Sequence, residues 1–274
     1  MRTLYRVYCL VALVLLGLPG VGQASGKDPV VFVHGLLGTT IGFDDMINFF
    51  ADPANKVVLD NNCDPVVLES VWTKSIITSR NELFTFTYNY ATDPVDVSAR
   101  QLGLVIDIIL RATGKKRVDI IAHSLGSTVS RYYLKNIPGA QNKVDAWVSM
   151  GGPNKGCDGW NYLNCCTGLF WSGCCVMNPT LMTYFNYPDP TPQTSGFPRY
   201  ITIRSNGDEN AVLEPPAGSG LTPGQYSVEL DGAVNIITDA YRIPLSMDHY
   251  DYLSRSQTDF WRHIMYYIDD RNVR

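Results

Sequence analysis

Val118-Asp119-Ile120-Ile121-Ala122-His123-Ser124-Leu125-Gly126 is the stretch that decides the fold: an apolar strand runs into a serine set between small residues, and a helical pattern follows. A serine at the tip of a sharp strand-to-helix turn is held in a strained backbone conformation with its hydroxyl presented outward. The residues two before and two after it must be small, or strand and helix collide. Ala122 and Gly126 meet that demand, although glycine is usual at both places and Ala122 adds one methyl group. The stretch predicts Ser124 as a nucleophile. So short a pattern also arises by chance, and its weight comes from its place between a buried strand and a helix.

Strands and helices alternate outward from this stretch. Pro29 to Val33 reads as a buried strand entering His34-Gly35-Leu36-Leu37-Gly38, followed by a helix from Phe43 to Phe50 and a short strand from Val57 to Leu59. From Glu82 to Tyr90, Leu83, Thr85 and Thr87 alternate with Phe84, Phe86 and Tyr88, as a strand requires. Asp93-Pro94 opens a helix with Leu102, Val105, Ile106 and Ile109 on one face, and Gly114 is placed to end it. A helix to Asn136 follows Ser124. Val144 to Met150, Tyr200 to Arg204 and Val234 to Thr238 read as further strands, and Phe260, Trp261, Ile264, Tyr267 and Ile268 mark the buried side of a last helix. The alternation predicts an α/β protein with a mostly parallel central sheet flanked by helices and joined by right-handed crossovers. In such sheets chemistry gathers at the carboxyl ends of strands, where Gly35, Ser124, Gly151 and Arg204 fall.

At 274 residues and 45% apolar content the chain suits one large-cored domain with insertions. A net charge of -4 and the absence of a basic run longer than Lys115-Lys116-Arg117 argue against a nucleic-acid partner or an anionic membrane. Arg2 and Arg6 precede an apolar run from Val7 to Leu18, and Pro19, Gly20, Gly22 and Ala24 follow. That order predicts a signal peptide over 1–24 cleaved after Ala24, a single domain over 25–274, and a secreted or periplasmic protein. Cys9 lies within the leader. The six remaining cysteines, Cys63, Cys157, Cys165, Cys166, Cys174 and Cys175, suit disulfides in an exported chain, most of them stapling a cysteine-rich cap or insertion over 155–195. A zinc cluster is the sharper alternative, but there is no C-x-x-C and an oxidising compartment disfavours thiolates, so no metal is expected.

A serine hydroxyl needs a base, and the base needs an acid to fix its tautomer. His34, before the serine, reads as a loop-shaping residue. After Ser124 only His249 and His263 remain; His263 sits within the last helix, whereas His249 lies in a loop and is the preferred base. Asp208, just past the strand ending at Arg204, is the preferred acid, with Glu209 as its competitor and Asp231 and Asp248 as weaker ones. An oxyanion would take main-chain N–H groups from Leu125, after the serine, and Leu36, in the first loop.

The chain resembles the α/β-hydrolases of the secreted bacterial lipase class 2 family, the triacylglycerol lipases and esterases with an Ala-x-Ser-x-Gly turn. The matching pieces are Val33-His34-Gly35-Leu36-Leu37-Gly38, Ala122-His123-Ser124-Leu125-Gly126, Met150-Gly151-Gly152-Pro153, Asp208 with Val212, Leu230-Asp231-Gly232-Ala233-Val234-Asn235, and His249 with Leu253 and Ser254. The resemblance implies carboxylic-ester hydrolysis without a cofactor, Ser124, Asp208 and His249 as a triad, Leu36 and Leu125 as oxyanion donors, and Asp231 as a turn residue. The chain departs from the family in the insertion after Gly152 and in a second between Asp208 and Leu230. The first carries Trp160, Phe170, Trp171 and Met177 among other apolar residues. It reads either as a satellite core around disulfides or as an apolar acyl pocket or lid in transient contact with a lipid surface. The expected partner is a lipid or ester substrate. Extracellular polyhydroxyalkanoate depolymerases share the same motifs and are the nearest rival reading. A non-catalytic binding protein on a hydrolase scaffold is the reading from another class. No residue points to a substrate-binding site or an oligomeric state.

Overall fold

The structure, a computed structural model, describes residues 28–35, 40–50, 57–60, 83–88, 93–155, 194, 196, 198–205, 208, 228–238, 249, 251–254, 261, 264 and 268. The leader, Leu36, all the cysteines, Glu209, Asp248, His263 and nearly all of 155–195 lie outside the described residues.

The apolar runs form seven strands: β1 (Val30–Val33), β2 (Val57–Asp60), β3 (Leu83–Thr87), β4 (Val118–His123), β5 (Val144–Met150), β6 (Arg199–Arg204) and β7 (Val234–Ile237). They make one sheet in the order β2-β3-β1-β4-β5-β6-β7, and every pair in it is parallel. Three α-helices are described in full, α1 (Asp44–Phe50), α2 (Val95–Thr113) and α3 (Leu125–Asn136), and Trp261, Ile264 and Ile268 are helical as well. The helix expected from Phe43 begins one residue later, because Thr40 to Phe43 coil as a tighter 3-10 turn. Pro94, whose ring fixes φ near the helical value, precedes α2. Gly114, in the left-handed region at φ 69°, closes that helix by donating its N–H to the Leu110 carbonyl.

Alternation along the strands sends side chains into two cores, one on each side of the sheet. Val31, Val33, Phe84, Phe86, Ile120 and Ala122 meet the buried faces of α2 and α3, including Leu102, Ile106, Ile109 and Val129. Val30, Phe32, Ile121, Val148, Met150, Ile201 and Ile203 meet Met46 and Ile47 of α1 together with Trp261 and Ile264. Each fully buried large side chain contributes about 1.5–3 kcal/mol, so strands covered on both faces anchor the fold.

One irregularity sits between β4 and β5. Val118 pairs with Val144 but Ile120 pairs with Trp147, so β5 carries one extra residue, a bulge. The extra residue lets Val144 and Trp147, three apart, face the same core. Asp119 completes the ladder there: its Oδ1 accepts the Ala146 N–H at 3.0 Å.

The strand order reverses at β1, which lies between β3 and β4. At such a point the loops after neighbouring strands diverge and open a crevice. Here those loops follow β1 and β4, and they are in close contact. A Cβ on Gly126 would run into the main-chain carbonyl oxygens of Val33 and His34, closer than real Cβ atoms come. Gly126→Ala is therefore expected to cost about 3 kcal/mol or more of stability, since backbone on both sides has nowhere to move. Thermal unfolding of the variant against the parent measures this.

Candidate active site

Ser124 sits between the end of β4 and the start of α3 at φ 53° and ψ -127°. It is the one non-glycine residue with positive φ among the described residues. For a side chain with a Cβ this conformation costs about 1–3 kcal/mol and persists only where the surroundings impose it. The imposing contacts are visible: the Ser124 N–H donates to the Met150 carbonyl at 3.0 Å, and Gly35 lies so near that a Cβ there would stand 2.7 Å from the Ser124 Cβ.

Three candidate residues from distant parts of the chain meet at this turn. The Ser124 hydroxyl donates to His249 Nε2 at 2.8 Å. On the other side of the ring, His249 Nδ1–H faces both oxygens of Asp208, at 3.0 Å to Oδ2 and 3.1 Å to Oδ1. All three are buried, with Ser124 at 6% exposure the most open and Asp208 at 1% the least. Asp208 follows β6, and its N–H bonds back to the Ser205 carbonyl. Gly151, at the end of β5 with φ 54°, leaves the room this pair needs: a Cβ would stand 2.9 Å from Asp208 Oδ2 and 3.3 Å from His249 Nδ1. Hydroxyl, imidazole and carboxylate in this line can pass a proton from Oγ to Nε2 while the carboxylate holds the ring and stabilises the imidazolium.

Leu125 is the first residue of α3, so its N–H has no partner four residues back within the helix, as an oxyanion donor requires. Asp231 lies in the turn closed by the Ala233 N–H to the Leu230 carbonyl. Asn235 pins that turn by bonding both the N–H and the carbonyl of Leu230. His34 shapes its loop as expected. Its ring donates from Nδ1 to the Gly35 carbonyl, accepts the Tyr88 N–H at Nε2 and stacks on the Tyr88 ring at 4.6 Å. Among the described residues no group of three or more His, Cys, Asp or Glu side chains could hold a metal ion. No described helix is long and apolar enough to cross a membrane.

Two neighbours carry no signal in the sequence. His123, the residue before the serine, donates from Nε2 to the main-chain carbonyl of His249 at 2.7 Å, with the two rings 4.8 Å apart. Tyr252 donates its hydroxyl to Asp208 Oδ2 and accepts the Ser205 N–H. Behind the serine, the buried Arg131 donates to the Asn154 carbonyl, and Asn154 in turn bonds Ser149 and the Val228 carbonyl. Asn154 thereby ties the chain just after β5 to Val228.

A family model described as lecithin:cholesterol acyltransferase matches residues 75–158, a stretch that holds Ser124 but neither Asp208 nor His249. Among solved structures, lipase B of Aspergillus fumigatus is similar at 16% identity and a TM-score of 0.58, over 88% of this chain and 52% of that one. This chain thus spans about half the length of that lipase. The mature form of the Bacillus licheniformis lipase BlEst2 is similar at 16% identity and a TM-score of 0.54, over 91% and 96% of the two chains. The lin2722 gene product of Listeria innocua is similar at 12% identity and a TM-score of 0.55, over 89% and 94%. The chain has the α/β-hydrolase fold, with a mostly parallel central sheet between helices.

Burial pushes the pKa of His123 down to about 3, helped by the neighbouring His249 and His34, and burial also lowers His34. His123 therefore stays neutral in the folded protein while the unfolded chain takes up a proton near pH 6.5. Stability attached to this group is complete above about pH 6.5 and is lost progressively as the pH falls toward about 3, because there the unfolded state binds more protons. His123→Gln is expected to flatten the fall in Tm between about pH 7 and about pH 4 by close to one proton's worth of slope, read from thermal melts across that range.

Proposed function

We propose that this protein is an exported serine hydrolase of carboxylic esters, a triacylglycerol lipase or esterase. The observation that carries the reading is the line of hydrogen bonds from Ser124 through His249 to Asp208. On this reading Ser124 Oγ attacks the ester carbonyl as His249 Nε2 takes its proton. The tetrahedral oxyanion is held by the N–H groups of Leu125 and Leu36. His249 then returns the proton to the leaving alcohol, and water attacks the acyl-enzyme by the same route in reverse. Asp208 holds the tautomer and stabilises the imidazolium. No cofactor takes part.

Residues 1–24 are removed on export in this reading. Residues 25–274 work as one domain whose cysteine-rich segment, 155–195, supplies the apolar surface for the acyl chain and for brief contact with a lipid surface. The similarity to two lipases in fold supports the class of reaction. The acyltransferase family match favours a second reading, in which the same acyl-enzyme gives its acyl group to a hydroxyl acceptor instead of water.

The test is hydrolysis of p-nitrophenyl esters from acetate to palmitate by the purified mature protein. Ser124→Ala and His249→Ala are each expected to lower kcat by about 10⁴-fold or more, and the double variant no further, since triad members act as a unit. Turnover retained by Ser124→Ala would sink the mechanism. Free acid as the sole product in the presence of a long-chain alcohol would sink the transfer reading. Activity confined to polyhydroxyalkanoate granules would replace lipids with polyesters as the substrate.

A further inference from the structure

We propose that Tyr252 is a positioning residue whose hydroxyl sets the orientation of the Asp208 carboxylate toward His249, an inference that rests on the triad reading above. Tyr252 is fully buried in the short 3-10 turn Asp251–Leu253, three residues after His249, and it touches neither Ser124 nor the imidazole by a hydrogen bond in the described structure. Its hydroxyl bridges Ser205 and Asp208. It donates to Asp208 Oδ2 at 3.1 Å and accepts the Ser205 N–H at 2.8 Å. The two bonds are of opposite sense, so the N–H at the end of β6 occupies a lone pair of the hydroxyl while its proton is turned toward the carboxylate.

The backbone of Tyr252 is fixed as well, since Trp261 Nε1–H donates to its carbonyl at 2.9 Å. Gly151 leaves room for both groups, because a Cβ there would stand 3.0 Å from Tyr252 Cε2 and 2.9 Å from Asp208 Oδ2. Asp208 faces His249 with both oxygens at nearly equal distance. Such a carboxylate has no preference between its oxygens from the imidazole alone. The hydroxyl distinguishes them by holding Oδ2, and so limits the turning of the carboxylate in front of Nδ1–H. A carboxylate that turns about its own axis orients the imidazole poorly, and orientation of the base is one part of what the acid contributes to the rate.

The experiment is steady-state kinetics of Tyr252→Phe on the ester that the parent turns over best, alongside Ser124→Ala, Asp208→Ala, the double variant Tyr252→Phe/Asp208→Ala, and Ile264→Val. Tyr252→Phe is expected to lower kcat about tenfold with KM within about twofold, on the scale of one lost orienting contact. It should have no further effect once Asp208 is gone, because the hydroxyl acts through that carboxylate. Ile264→Val thins the same buried cluster while leaving the hydrogen bonds of Tyr252 and Asp208 in place, and is expected to lower Tm while kcat stays within about twofold of the parent. An unchanged kcat for Tyr252→Phe, an equal loss in the Asp208→Ala background, or an equal loss in folded Ile264→Val each overturns the inference while Ser124→Ala remains inactive. Turnover by Ser124→Ala instead overturns the triad reading itself, so the two failures are distinguishable.

Discussion

The contact on which the rest depends is the approach of the α3 N-terminus to the end of β1. Gly126 lies against the Val33 and His34 carbonyls with no room for a methyl group, and the next loop residue, Gly35, is pressed against Ser124. This closeness turns the chain so sharply after β4 that Ser124 is held at φ 53°. The strain is sustained by rigidity on both sides: β1 and β4 are paired along their length and buried on both faces, and α3 packs against α2 through Val129, Tyr133 and Leu134. A fold with a looser β1 would let the turn relax and the hydroxyl swing away from His249.

The strand ends then act as fixed mounts. β4 carries Ser124, β5 delivers Gly151 beside the acid, and β6 leads through Ser205 to Asp208. His249 comes from far along the chain and is held at its ring by Ser124 and Asp208 and at its backbone by the neutral His123. Burial matters to this last contact. It keeps His123 uncharged, and an uncharged ring beside His249 does not oppose the positive charge that a base must take up.

Much of this was legible in the sequence because it rests on local patterns. Alternation over Leu83 to Tyr88 and the helical spacing of Leu102, Val105, Ile106 and Ile109 located elements whose buried faces lie as read. Ser124 stood out by its small neighbours, and His249 because few histidines follow the serine. Asp208 rather than Glu209 could be preferred only by its nearness to a strand end; the structure puts Asp208 at the imidazole, with Glu209 outside the described residues. Tyr252 and His123 were missed for a physical reason. Their hydrogen bonds join residues 44 and 126 positions apart, and no periodicity records which buried hydroxyl or ring will face which loop.

The bulge where Asp119 caps the Ala146 N–H is the least conspicuous of these features. A strand is a ruler marked every 3.3 Å or so, and two neighbouring rulers with different starting points need not finish level. The one surplus residue in β5 resets the phase after both strands have begun, so that Met150 ends level with His123 and offers its carbonyl to Ser124. Without that correction Gly151 would arrive about one division late, about 3.3 Å from where the carboxylate and the imidazole need an absent side chain. Alignment at the reactive end of the sheet is thus settled at the far end, by an aspartate that touches none of the groups it brings into line.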